Sequence, residues 1–161
     1  MQQTAHLAGF FAAHGIWNVS DGGALIPMLG HEAADGQRGM MRFAGGDIAD
    51  GARAGREVLE SNPDGAARAV LVVDAYLHLP AGRVDALMVD AVEYGPRPVS
   101  LKIAVPYRPQ SSGFAVHRPK VLQVVGVPEG DHPALFEAFF AGVDAHEPAA
   151  AVWNAYLDES V

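Results

Sequence analysis

The sequence predicts a single α+β domain spanning residues 1–161, in which an antiparallel sheet dominated by a four-stranded meander carries helices on one face. Three observations predict it. Four stretches of alternating or continuous apolar residues, at about 69–79, 84–94, 98–108 and 114–125, are separated only by short turns at 80–83, 95–97 and 109–113. Connections this short join antiparallel neighbours, because a parallel crossover needs a dozen or more residues. Apolar residues at helical spacing flank this block on both sides. A length of 161 residues, half of them apolar and 19% charged, suits one well-buried core, and no linker or repeat divides the chain.

The element order expected is α-β-β-α-β-β-β-β-α-α. Residues 4–14 place Leu7, Phe10, Phe11 and His14 at i, i+3, i+4 and i+7. The rest of that helix is Ala5, Ala8, Gly9, Ala12 and Ala13, where a solvent face would carry charge. Small residues there predict close approach by another element, with a second subunit as one source. After Asp21-Gly22-Gly23, two short strands are expected at 24–30 and 38–44, with Pro27 favouring an edge or bulge. Asp47 caps a helix that runs to about Glu60, and Ser61-Asn62-Pro63-Asp64-Gly65 ends it. Beyond the meander, Asp131 and Pro133 open a helix with Phe136, Phe139, Phe140 and Val143 as its stripe. Pro148 separates it from a last helix carrying Val152, Trp153, Tyr156 and Leu157.

Pairing by the shortest closures joins 79 with 84, 94 with 99 and 108 with 114. Alternation then gathers Leu71, Val73, Ala86, Met88, Val92, Leu101, Ile103 and Val105 on one apolar face under the helices. Asp90 and His117 are anomalies on that face. The opposite face mixes Asp74, His78, Asp85, Glu93, Lys102, Arg108, Arg118 and Lys120 with apolar residues, and in this register Lys102 sits opposite Lys120.

Charge is distributed unevenly. The formal net charge is −8, yet residues 94–128 hold no Asp or Glu while carrying Arg97, Lys102, Arg108, Arg118 and Lys120. An acidic chain is a poor nucleic-acid partner, since that binding depends on neutralising phosphates over a broad surface. The absence of cysteine removes disulfides, thiolate metal sites and a cysteine nucleophile. The first 20 residues hold no Lys, Arg, Asp or Glu and read as a folded helix rather than a signal, and no segment suits a bilayer span. A cytoplasmic bacterial protein is the expectation; many Ala, Gly and Arg with only two Lys fit a GC-rich genome.

Motif chemistry is sparse. No His pair has the H-x-x-x-H spacing, His31-Glu32 is poor ligand geometry, and Asp74 and His78 stand too far apart along a strand to chelate one ion unaided. Gly45-Gly46-Asp47 reads as an ordinary cap, because the Asp side chain occupies the N–H groups an anion would need. Neither a nucleophile elbow nor a P-loop is present, so no cofactor is expected. The leading expectation is a non-enzymatic binding or assembly domain that acts through the mixed basic and apolar sheet face as a homodimer. A secretion-chaperone type of role is one example, by analogy of size and acidity. The alternative is an enzyme or sensor for a small anionic metabolite. Lys102, Lys120 and Arg118 would hold the anion, with Arg108 and His78 beside them, and Asp74 or Asp90 would act as the acid/base group.

Overall fold

The computed structural model describes residues 1–161. Helix α1 (Gln2–Val19) is followed by strands β1 (Met28–Glu32) and β2 (Arg38–Arg42) and helix α2 (Ile48–Ser61). Then come β3 (Arg68–Leu79), β4 (Gly82–Glu93), β5 (Val99–Arg108), β6 (Ala115–Val116) and β7 (Lys120–Val125), and the chain ends in α3 (His132–Ala145) and α4 (Glu147–Ala155). The α+β class and the antiparallel pairing stand. The sheet itself differs from the expected four-stranded meander: it has seven strands in the order β2-β1-β3-β4-β5-β6, with β7 also paired to β5, curled into a half-barrel. The early hairpin joins through β1, which pairs with β3, and the expected fourth meander strand is two, β6 and β7, sharing the outer side of β5.

Helices cover both faces, not one. On the larger, α1, α3 and α4 bury Val70, Val72, Leu87, Val89, Ala91, Val99, Leu101, Ile103 and Val105. On the other, α2 sets Leu59 against Leu29, Ala69, Leu71 and Val73. Helix α2 begins with a reciprocal capping box between Asp47 and Asp50 and stops at Asn62, whose φ of 45° ends the helix in the left-handed region.

None of the three expected closures holds: Leu79 meets Gly82, a two-residue slip that keeps the face, whereas the other two slip by one, with Arg108 across from Ala115 instead of residue 114. Glu93, not residue 94, stands across from Val99. A shift of one residue moves a whole strand to the other face, so the apolar residues expected together are split. Leu71 and Val73 lie with α2, whereas Leu101, Ile103 and Val105 lie under α1. Alternation could not settle the register because β3 is apolar on both faces, as strands buried on two sides are.

Helix α1 is the centre of the molecule. Leu7, Ala8, Ala12, Ala13 and Ile16 are fully buried, with the sheet on one side and α3 and α4 on the other. Its small residues admit α3 of the same chain rather than a second subunit. A Cβ added at Gly9 would stand 1.8 Å from the Phe139 carbonyl oxygen, and one at Gly142 would stand 1.9 Å from the His6 carbonyl oxygen. Backbone meets backbone at both positions, so only glycine fits. Towards the sheet, the Phe11 ring occupies the space over Gly30 where a Cβ would lie 2.1 Å from it.

Because the obstructing atoms are main chain, they have no rotamer to escape into, and overpacking cost reaches or passes its usual upper range. Gly142→Ala is expected to lower the unfolding free energy in urea by about 3 kcal/mol or more. Gly130→Ala, where an added Cβ meets nothing within 4 Å, is expected to stay within about 0.5 kcal/mol of the parent.

Candidate functional site

The structure disperses the residues singled out as an anion site. Lys102 faces Asp90 on one side and Gln123 on the other, while Lys120 pairs across from Ala104. The expected Lys102–Lys120 opposition is therefore absent. The pairing along the outer side of β5 produces this difference: it is already displaced at β6, where Arg108 meets Ala115, and a bulge at Leu122 displaces it further on β7. Asp90 is not on the large core face. It lies beside α2, with its carboxylate 3.5 Å from the Arg56 guanidinium and 3.7 Å from the Lys102 ammonium. These three line a pocket of about 410 Å³ with Glu60, Tyr94 and Gln123, into which neither Lys120 nor Arg118 reaches. Two cations and two acids cancel there.

Arg108 and Arg118 hold the C-terminal segment. Arg118 donates to Glu159 at 3.0 Å, and Arg108 donates to the Gly113 carbonyl at 2.6 Å with Asp158 at 3.8 Å. Backbone bonds from Val116 to Tyr156 and from Asp158 to Val116, and the buried His117 against the Asp158 carbonyl at 2.8 Å, complete that strap. It covers the outer side of β6.

Asp74 is half-buried and accepts both contacts of the Tyr107 hydroxyl, at 2.9 Å to each oxygen. Burial, with Asp85 nearby, raises its pKa against the lowering effect of the Tyr107 bond. Burial and then the Asp74 charge push the Tyr107 hydroxyl far up, so the tyrosine stays protonated and acts as a donor. Neither residue lines the pocket beside Asp90. His78 is exposed, across the hairpin from Arg83. Asp74 and His78 thus stand apart from Lys102, as a structural hydrogen bond and a surface residue.

What the arrangement leaves open is β7. Its inner side pairs with β5, and its outer side has no strand partner. Leu122 and Val125 are 43% and 49% exposed. The opposite edge of the sheet, β2, carries Arg38 and Arg42, both exposed, a common guard against edge pairing. On β7 the only charge is Lys120 at its start. Beside β7, Val121 and Val124 turn inward with Leu101 and Ile103, and face Leu135, Phe136 and Phe139 of α3 across a cleft of about 260 Å³. Phe136 and Phe140, expected inside, are about two-fifths exposed, because the buried stripe of α3 is Leu135, Phe139, Gly142 and Val143. Only the acid-free run pointed to this surface in the sequence; the small residues of α1 announced a close neighbour, but nothing identified it as α3 or set how α3 is rotated.

A further polar cluster joins α1 to α4 and was not visible as a pair in the sequence. The Ala149 N–H points at His146 Nδ1 at 3.4 Å, so neutral His146 carries its proton on Nε2 and donates to His14 Nδ1 at 2.9 Å. His14 then holds its own proton on Nε2, which is buried without a partner. Trp17 stands edge-on to both rings and Phe10 packs on His146. Protonating either ring places two donors face to face.

A scan against protein-family models, a search of curated proteins and a search of solved structures each returned no match.

Two outcomes are expected. Burial, then the neighbouring His146 and Arg42, lowers the His14 pKa, and burial lowers that of His146. The unfolded chain therefore takes up these protons first, so their contribution is complete above about pH 6.5 and is lost as pH falls below it. The melting temperature should drop between about pH 7.5 and about pH 5.5, and drop less in His14→Leu. Second, millimolar phosphate should leave the melting temperature unchanged, in the parent and in the Lys102→Ala, Lys120→Ala double variant alike.

Proposed function

We propose that this chain is a non-enzymatic binding and assembly domain that associates with a second copy of itself through the open edge of β7. One observation carries the reading: the sheet has two free edges, and the one whose only charge is Lys120 at its start also exposes Leu122 and Val125. Unpaired N–H and C=O groups beside exposed apolar side chains favour addition of a strand.

Charge supports a second copy as the occupant. Two molecules of net charge −8 repel at most orientations. Residues 94–128 contain no acid, so a two-fold contact centred on β7 brings no Asp or Glu of that segment against its symmetry mate, whatever the strand register. Such a contact is isologous, with the same surface used by both partners. It extends each sheet into one shared sheet, and the exposed Phe136 of α3 flanks the junction. The five cations of the acid-free run serve this reading indirectly. Three of them are engaged within the chain, by Asp90, Glu159 and Asp158, which leaves little positive field to oppose the contact.

Light scattering at about 50 µM, a concentration where a micromolar contact is populated, is expected to give twice the mass of the chain. Leu122→Glu introduces the acid that the edge lacks and is expected to yield a folded monomer. A parent that scatters as a monomer, or a Leu122→Glu variant that stays dimeric, contradicts the proposal.

A further inference from the structure

We propose that the cleft between α3 and β5–β7 binds the apolar body of an uncharged small molecule. This site is separate from the dimer edge. Val121 and Val124 turn their side chains into it on the side of Ile103 and Leu101, whereas the dimer contact uses the outward backbone of β7 with Leu122 and Val125.

The chemistry of the lining selects the ligand. Eight of the nine lining residues are hydrophobic, and the exception, His132, already directs Nε2 to the Val127 carbonyl at 3.3 Å. A buried water needs two to four polar partners, and this lining supplies almost none. An extended peptide fits no better, because its amides would be desolvated with nothing to receive them, at a cost of about 1–3 kcal/mol each. A charged head group has no counter-ion, since no Lys, Arg, Asp or Glu lines the cleft. An alkyl chain or an aromatic ring system meets none of these penalties.

Size narrows the class. A dry apolar cavity of about 150 Å³ accommodates benzene, and this cleft measures about 260 Å³. By that ratio it takes about ten carbon atoms, equivalent to two fused rings or a medium-length alkyl chain. One wall is aliphatic, from Leu101, Ile103, Val121 and Val124, and the other is formed by Leu135, Phe136 and Phe139. Ala5 of α1, almost fully buried, lies between the two walls. The gap exists because α3 is held by its glycine contact to α1 and does not close onto β7.

The test is a fluorescence titration of the whole chain with N-phenyl-1-naphthylamine, an uncharged probe, followed by displacement with 1-decanol. Saturable binding at one probe per chain, reversed by decanol, is expected. Val121→Trp places an indole in the cleft from a position on its wall that is 38% exposed, and should weaken the probe at least about tenfold, or about 1.4 kcal/mol. Circular dichroism and the melting temperature establish that this variant is folded, and Val124→Phe serves as a second filling variant. Leu122→Glu, which breaks the dimer edge, should bind the probe as the parent does. Absence of binding to the parent, or equal binding by both filling variants, overturns the proposal. Loss of binding in Leu122→Glu also overturns it and assigns the probe to the interface between copies.

Discussion

The backbone contact between α1 and α3 at Gly9 and Gly142 is the constraint from which the rest of the architecture follows. With an added Cβ less than 2 Å from a carbonyl oxygen at each position, the two helices meet at main-chain distance. Helix α1 is then enclosed by the sheet on one side and by α3 and α4 on the other. Enclosure explains why residues 2–19 bear no charged side chain, since an ion there would be buried without a partner. It also fixes where α3 can point. Leu135, Phe139 and Val143 go into the core with Trp153, and Phe136 and Phe140 turn outward. The cleft beside β7 is the space left when a helix is anchored to its helical neighbour instead of to the last strand.

The acid-free run acquires a different meaning once each cation is placed. Lys102 neutralises Asp90 together with Arg56, and Arg108 and Arg118 strap the C-terminal segment against β6. Exposed pairs of this kind contribute little because solvent screens them, so the strap depends on the Val116 backbone bonds and His117 more than on charge. The one buried carboxylate, Glu32, lies elsewhere. Glu32 binds Arg38 at 2.6 Å and Arg68 at 2.5 Å. Burial pushes its pKa up, and those two hydrogen bonds outweigh it and hold the carboxyl below its ordinary value. Glu93 receives Thr4 at 2.8 Å and ties the start of α1 to the end of β4. The run from 94 to 128 matters for what it lacks, because it leaves one edge of an acidic molecule free of acids.

Much of the chain's organisation was legible before the structure. Asp47, Pro133 and Pro148 mark helix boundaries because capping and proline geometry are local. The hairpin turns are legible for the same reason. What was hidden depends on pairs distant in sequence. The register of β4 on β5 was lost because Val70, Leu71, Val72 and Val73 are all buried, so neither face of β3 announces itself as the core. The β1–β3 pairing was invisible because Met28–Glu32 carries no distinctive partner signal. Gly9 and Gly142 lie 133 positions apart, and nothing at either position names the other. Lys102 and Asp90 were both noted from the sequence, yet a one-residue shift of β4 on β5 makes them neighbours, and a separate displacement of β7 on β5 parts Lys102 from its expected mate.

The claim that β7 is a contact surface is tested most directly by hydrogen–deuterium exchange of residues 120–125 at two protein concentrations, about 1 µM and about 100 µM, which bracket a micromolar association. An edge covered by a second copy exchanges more slowly at the higher concentration, while β2 at the opposite edge does not change. Equal exchange of 120–125 at both concentrations, with fast exchange at each, would show the edge open to solvent and contradict the account.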